Sequence, residues 1–235
     1  MRTARDVAFD QAALSVSISG VAMKTREFVS MLATGIFPTP PHVVALRFSA
    51  ALFLGLTGAA CMVVALYGVR GDMPQMLVTP LFWIKVAFPL AVVGASLSIV
   101  MRVSRPGADA TMAWIALAIP LALVWAVALV VIVAAPATLR LQLVLGNTWQ
   151  VCTMNIAVLS VPTFIAVFWA MKGLAPTQPV IAGAAAGLLS GAQAVLVYML
   201  YCVEMTVPFW GVWYVLGMLV PTVVGAVLGP RLLRW

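Results

Sequence analysis

The chain has 235 residues, of which 64% are hydrophobic and 8% charged, with a mean hydropathy of +1.14 and a formal net charge of +7. A soluble domain carries roughly 45–50% apolar and about 25% charged residues. Thirteen basic side chains, six acidic ones and one histidine could not cover a water-soluble globule. The composition describes an integral membrane protein. It excludes most soluble enzymes, DNA-binding domains and disulfide-rich secreted modules, since three cysteines make no framework of bridges.

Residues 1–45 are the only sizeable segment outside the membrane. Residues 1–22 contain Ser15, Ser17, Ser19 and Gly20 and lack the apolar run of a signal peptide, so they read as an upstream extension or a disordered tail. From Met23 the texture changes. Met23–Leu32 reads as a short amphipathic helix with Phe28, Met31 and Leu32 at i, i+3 and i+4, and Thr39-Pro40-Pro41-His42 breaks it. His42 reads as an ordinary loop histidine.

Residues 46–235 form the second part, a transmembrane domain with a short C-terminal tail. A bilayer core needs about 20 apolar residues as a helix. Six stretches qualify: roughly Leu46–Tyr67, Pro80–Met101, Thr111–Ala134, Trp149–Met171, Pro179–Tyr201 and Phe209–Gly229. The apolar runs are continuous rather than alternating, which favours helices over barrel strands. The expected fold is an all-α bundle of six transmembrane helices.

Lys and Arg gather on the cytoplasmic side of spanning segments. With the amino terminus inside, that side receives Arg2, Arg5, Lys24, Arg26, Arg47, Arg102, Arg105, Lys172, Arg231 and Arg234, whereas the outer side receives only Arg70 and Arg140. Both termini are therefore expected in the cytoplasm. The positive charge is then a topogenic signal and a contact with the lipid of the inner leaflet, and no direct nucleic-acid partner is needed to explain it.

Cys152 begins the fourth span and Cys202 follows the fifth, so this topology places both thiols at one depth on the outer side, where disulfides are permitted. Around them lie Met154, Glu204 and Met205. Thiolate and thioether suit Cu(I) or a similar soft metal, and Glu204 would add an oxygen ligand. The plainer readings are a structural disulfide or small apolar packing. Cys61, inside the first span, reads as small-residue packing between helices.

Lys85 is the only clear charge within a span. It lies about five residues from the outer edge, roughly 7–8 Å at helical rise. It either snorkels to the interface beside Trp83 or turns its ammonium to the outer site, where it would lower a thiol pKa. An ion-translocation role is weakened by the lack of an intramembrane acid to pair with it. Glu204 is either solvated, a ligand or a partner of Lys85. Gly183, Gly187 and Gly191, and Gly225 with Gly229, are small-xxx-small steps for close helix approach, within the bundle or between copies. No nucleotide loop, zinc-protease helix or nucleophile elbow is present, so no enzymatic chemistry and no required cofactor is expected.

Six spans, Met23-Lys24-Thr25 near the start, an outer Cys152, the Cys-x-Glu of Cys202 and Glu204, Trp213-Tyr214, and the ending Gly229-Pro230-Arg231-Leu232-Leu233-Arg234-Trp235 together resemble the NrsF-type membrane anti-sigma factors. The resemblance runs from about Met23 to Trp235. It implies a multi-pass protein of a bacterial inner membrane that holds an extracytoplasmic-function sigma factor on the cytoplasmic side and releases it under heavy-metal or redox stress. It also implies that Cys152 and Cys202 are the sensing pair, with a soft metal ion as a signal. Residues 1–22 and Cys61 depart from the family pattern.

The segment expected to contact the sigma factor includes Lys24, Arg26, Glu27, Phe28, Met31 and Leu32. The alternative function is a small transporter or channel for a metal or another solute.

Overall fold

The computed structural model of the chain describes residues 30, 43–104, 109–174 and 176–233. Lys24, Arg26, Glu27, Phe28, Met31, Leu32 and His42 lie outside the described residues. Contacts divide the chain into residues 1–43 and residues 44–235, and the architecture below is that of the second unit.

The described residues form helices, with no strand among them. In order these are α1 (Val43–Leu66), α2 (Met73–Leu77), α3 (Pro80–Val103), α4 (Thr111–Ala134), α5 (Ala137–Leu145), α6 (Trp149–Leu159), α7 (Val161–Met171), α8 (Pro179–Tyr198), α9 (Val207–Phe209) and α10 (Val215–Leu232). A π-helical turn, Trp210–Tyr214, joins α9 to α10. Six segments are long and apolar enough to cross a membrane, with α5, α6 and α7 counted as one and α9 to α10 as another. The fold is the expected all-α six-span bundle.

The fourth span, expected over Trp149–Met171 with Pro162 as a candidate kink inside it, is interrupted there. It breaks at Ser160, because Pro162 has no N–H to donate to the preceding turn. The break is packed against rather than left open: a Cβ added at Gly58 would press on Pro162, and one at Gly55 on Thr163. α1 therefore lies directly against the bend.

α8 is the central helix, with most of its residues buried, and it packs most extensively against α10 and then α3. Its glycines explain the closeness. A Cβ at Gly183 would collide with the carbonyl oxygen of Gly225, and one at Gly187 with that of Pro221. Small residues of this kind let helices associate by van der Waals contact where lipid gives no hydrophobic drive. The glycine steps are thus used within the bundle. Gln193 adds polar glue, its side-chain N–H donating to the Leu52 carbonyl of α1 at 2.6 Å.

Cys61 corrects one expectation. α1 buries Phe48, Ala51, Gly55, Ala59 and Val63, and Cys61 stands on the other face, exposed to the surroundings of the bundle. Two residues beyond Ala59 is more than half a helical turn, so its thiol is turned away from the neighbouring helices.

Candidate functional site

The connection between α8 and α9, residues 199–206, is the centre of the site. The chain stays close to α8 as it leaves it, because the N–H groups of Tyr201 and Cys202 both donate to the Tyr198 carbonyl at 3.0 Å. Carbonyls beyond a helix end need donors of their own where water is scarce. Two cations supply them. Arg70 donates its backbone N–H to the Leu200 carbonyl and its Nη1 to the Cys202 carbonyl, both at 3.0 Å. Lys85 reaches across from α3, its Nζ donating to the Cys202 carbonyl at 3.2 Å and to the Glu204 carbonyl at 2.6 Å.

Lys85 is 1% exposed, so it does not snorkel. A buried ammonium is costly unless it is well bonded. Here two carbonyls accept from it and the ring of Tyr214 lies 5.6 Å from Nζ, within cation–π range. Hydrogen bonds to a charged group contribute about 1.5–3 kcal/mol each. Its position near the carboxyl end of α8 also favours a cation. The partnership with Glu204 is through the backbone. The Glu204 carboxylate instead accepts from the Asn147 N–H at 2.7 Å. Gly146 permits this approach: its φ is +56°, and a Cβ there would strike the carboxylate and Phe209.

Cys152 and Cys202 are both free thiols, both buried, and near enough to interact electrostatically. The Tyr198 hydroxyl stands beside Cys152 and Asn155, and the Tyr214 hydroxyl beside Cys202, neither in good hydrogen-bond geometry. An ammonium, two phenols and two thiols thus share one buried region. At its rim, Arg70 forks onto Asp72, with Nε–Oδ1 at 2.5 Å and Nη2–Oδ2 at 2.6 Å. This pairing holds the Asp72 carboxyl below its usual range and raises the Arg70 guanidinium.

The remaining expected metal ligands do not converge on the thiols. Met154 is 66% exposed, because two residues along α6 from Cys152 is the opposite face. Met205 is half-buried in the connection, and the Glu204 carboxylate is committed to Asn147. Among the described residues no group of three His, Cys, Asp or Glu side chains forms a metal cluster. Two thiols suit a soft ion of low coordination or a disulfide, and not a closed tetrahedral site.

Arg70, Tyr198 and Tyr214 are site residues that sequence reasoning passed over. Arg70 was legible as one of two outer charges but served only as a topology signal. The spacing Tyr198 to Cys202, four residues, was the available hint of a shared face.

A bundle of six apolar helical segments around buried thiols and a buried cation defines a multi-pass membrane protein. The chain belongs to the NrsF family, negative regulator of sigma F, whose family model matches residues 32–235. It is 45% identical over 213 residues to the probable anti-sigma-F factor NrsF of Azospira oryzae, covering 91% of this chain and all of that protein. It is 34% identical over 221 residues to the anti-sigma-F factor NrsF of Caulobacter vibrioides, with the same coverage. No solved structure matches the chain. The protein is thus a negative regulator of a sigma factor; its family is a regulatory kind of protein and implies a sigma-factor partner.

Proposed function

We propose that this protein holds an extracytoplasmic-function sigma factor at a bacterial inner membrane and releases it when a soft metal or an oxidant engages Cys152 and Cys202. The observation that carries the reading is the meeting of two buried free thiols from α6 and from the turn after α8, beside the buried ammonium of Lys85. An oxidant would take two electrons from the pair while both thiols lose their protons and an S–S bond forms. A soft ion would instead bridge two thiolates.

Either event ties α6 to the end of α8 and favours one arrangement of the bundle. The signal must bind the two arrangements differently, or nothing shifts. The ten-to-two distribution of flanking Lys and Arg supports cytoplasmic termini, so residues 23–42 would present themselves to the sigma factor.

The test is transcription from a sigma-dependent promoter after exposure to a copper salt or hydrogen peroxide. Replacing both cysteines by Ser is expected to abolish induction, and an unchanged response would overturn the sensor role. Deleting residues 23–41 should free a co-expressed sigma factor from the membrane fraction. Retention there, together with solute flux in vesicles, would favour the transporter alternative.

A further inference from the structure

The connection after α8 is anchored by Arg70 in the loop before α2, by Asn147 in the loop before α6, by the Leu143 carbonyl of α5, which accepts from the Thr206 hydroxyl, and by Lys85. Of these, Lys85 is the charged side chain that reaches the connection from within a spanning helix, α3. Two simpler roles fail on geometry. A lysine that only sought the interface would be exposed, and Lys85 is buried. A lysine that neutralised Glu204 would face its carboxylate, yet Lys85 bonds the carbonyl.

Its hydrogen bonds are spent on the backbone at the reactive residue itself, Cys202, and two residues further on. Tyr214, whose ring lies under the ammonium and whose hydroxyl stands beside Cys202, comes from the π-helical turn that opens the sixth span. Such turns recur at functional sites.

We propose that Lys85 is the positioning residue of the thiol pair: it clamps the Cys202 turn so that the Cys202 sulfur is held toward Cys152, and it ties the state of the thiols to α3. This rests on the sensor reading of the two cysteines for its biological meaning, but not for its geometry. When the pair reacts, the Cys202 carbonyl moves with its sulfur, and the ammonium that follows it carries the displacement into the second span.

The experiment uses the full-length protein in membranes with Cys61→Ser, so that only the two site thiols remain. Copper-phenanthroline with oxygen accepts the electrons as the disulfide forms, and loss of free thiol is followed by mass spectrometry. Lys85→Met is expected to slow pair formation by about tenfold or more, since small misplacements of reacting groups are costly, while Lys85→Arg stays within about threefold of the parent. A parent-like rate in Lys85→Met overturns the proposal, as does an equal slowing in Lys85→Arg.

Membrane-inserted amount and thermal midpoint are measured beside the rate. Lys85→Gln replaces Lys85→Met if the latter does not accumulate, with the same two outcomes. The rate is read without a sigma factor. A slowed pair combined with normal induction in the double Ser variant would therefore sink the sensor reading and leave the clamp standing.

Discussion

Gly183 of α8 and Gly225 of α10 face one another backbone to backbone, each so placed that a Cβ on one would fall on the carbonyl oxygen of the other. This reciprocal contact fixes how closely the fifth and sixth segments approach. The Cys202 turn and the Tyr214 turn lie toward the opposite ends of the same two segments.

Gly183→Ala is therefore expected to destabilise the bundle by about 1–3 kcal/mol, the usual cost of overpacking. Thermal unfolding in detergent would show it as a lowered midpoint. Ala at Gly94, where an added Cβ meets nothing, should leave the midpoint near that of the parent.

Gln193→Leu tests the polar contact between α8 and α1. Interhelical hydrogen bonds in membranes contribute about 0.6 kcal/mol on average, and the Gln193 Oε1 is itself buried without a partner. The loss of one bond and the removal of one orphaned acceptor oppose each other. A shift below about 1 kcal/mol is expected, and a larger one in the same unfolding assay would mean that Gln193 does more than join α1.

Thiol labelling separates the three cysteines. Cys152 and Cys202 are buried and should react with maleimide at least about tenfold more slowly in the native protein than in the unfolded chain, since they are reached through local opening. Cys61 is exposed on α1 and should show much less protection against a lipid-soluble maleimide. Peptide mass spectrometry after timed labelling reads all three, and equal protection would place Cys61 in a helix contact after all.

The Arg70–Asp72 fork carries a pH dependence. Asp72 is held below its usual carboxylate value of 3.8, chiefly by the hydrogen bonds from Arg70. A depressed folded-state pKa contributes stability in full above the unfolded value, and that contribution is lost as pH falls through the folded one. Asp72→Asn should therefore lower stability at neutral pH and flatten this component of the acid limb below about pH 4. Midpoints measured between neutral and acid pH check the sign. A parallel acid limb in parent and variant would show that the fork does not couple to folding.

The thiol site was partly legible in the chain. Counting spans and sorting charges puts Cys152 and Cys202 at the same end, and in the structure both thiols are free and buried, one in α6 and one in the turn after α8. Lys85 was visible as an exceptional charge, but its partners were not. They are backbone carbonyls, which every residue carries, so no side-chain pattern announces them. Met154 and Cys61 were misplaced for a related reason. In a helix that is apolar all round, periodicity does not distinguish the face that meets protein from the face that meets lipid.

By itself the sequence determined the class, the six spanning segments and the alternation that brings two distant cysteines to one end, because hydrocarbon rejects charge and unbonded backbone alike. Only the tertiary structure decided which faces those helices turn to each other, what packs against the break at Pro162, and that the buried Lys85 ammonium holds the Cys202 turn by its carbonyls. Those outcomes depend on steric fit at glycines and a proline and on hydrogen bonds to main-chain groups, neither of which is encoded in the order of apolar and polar residues.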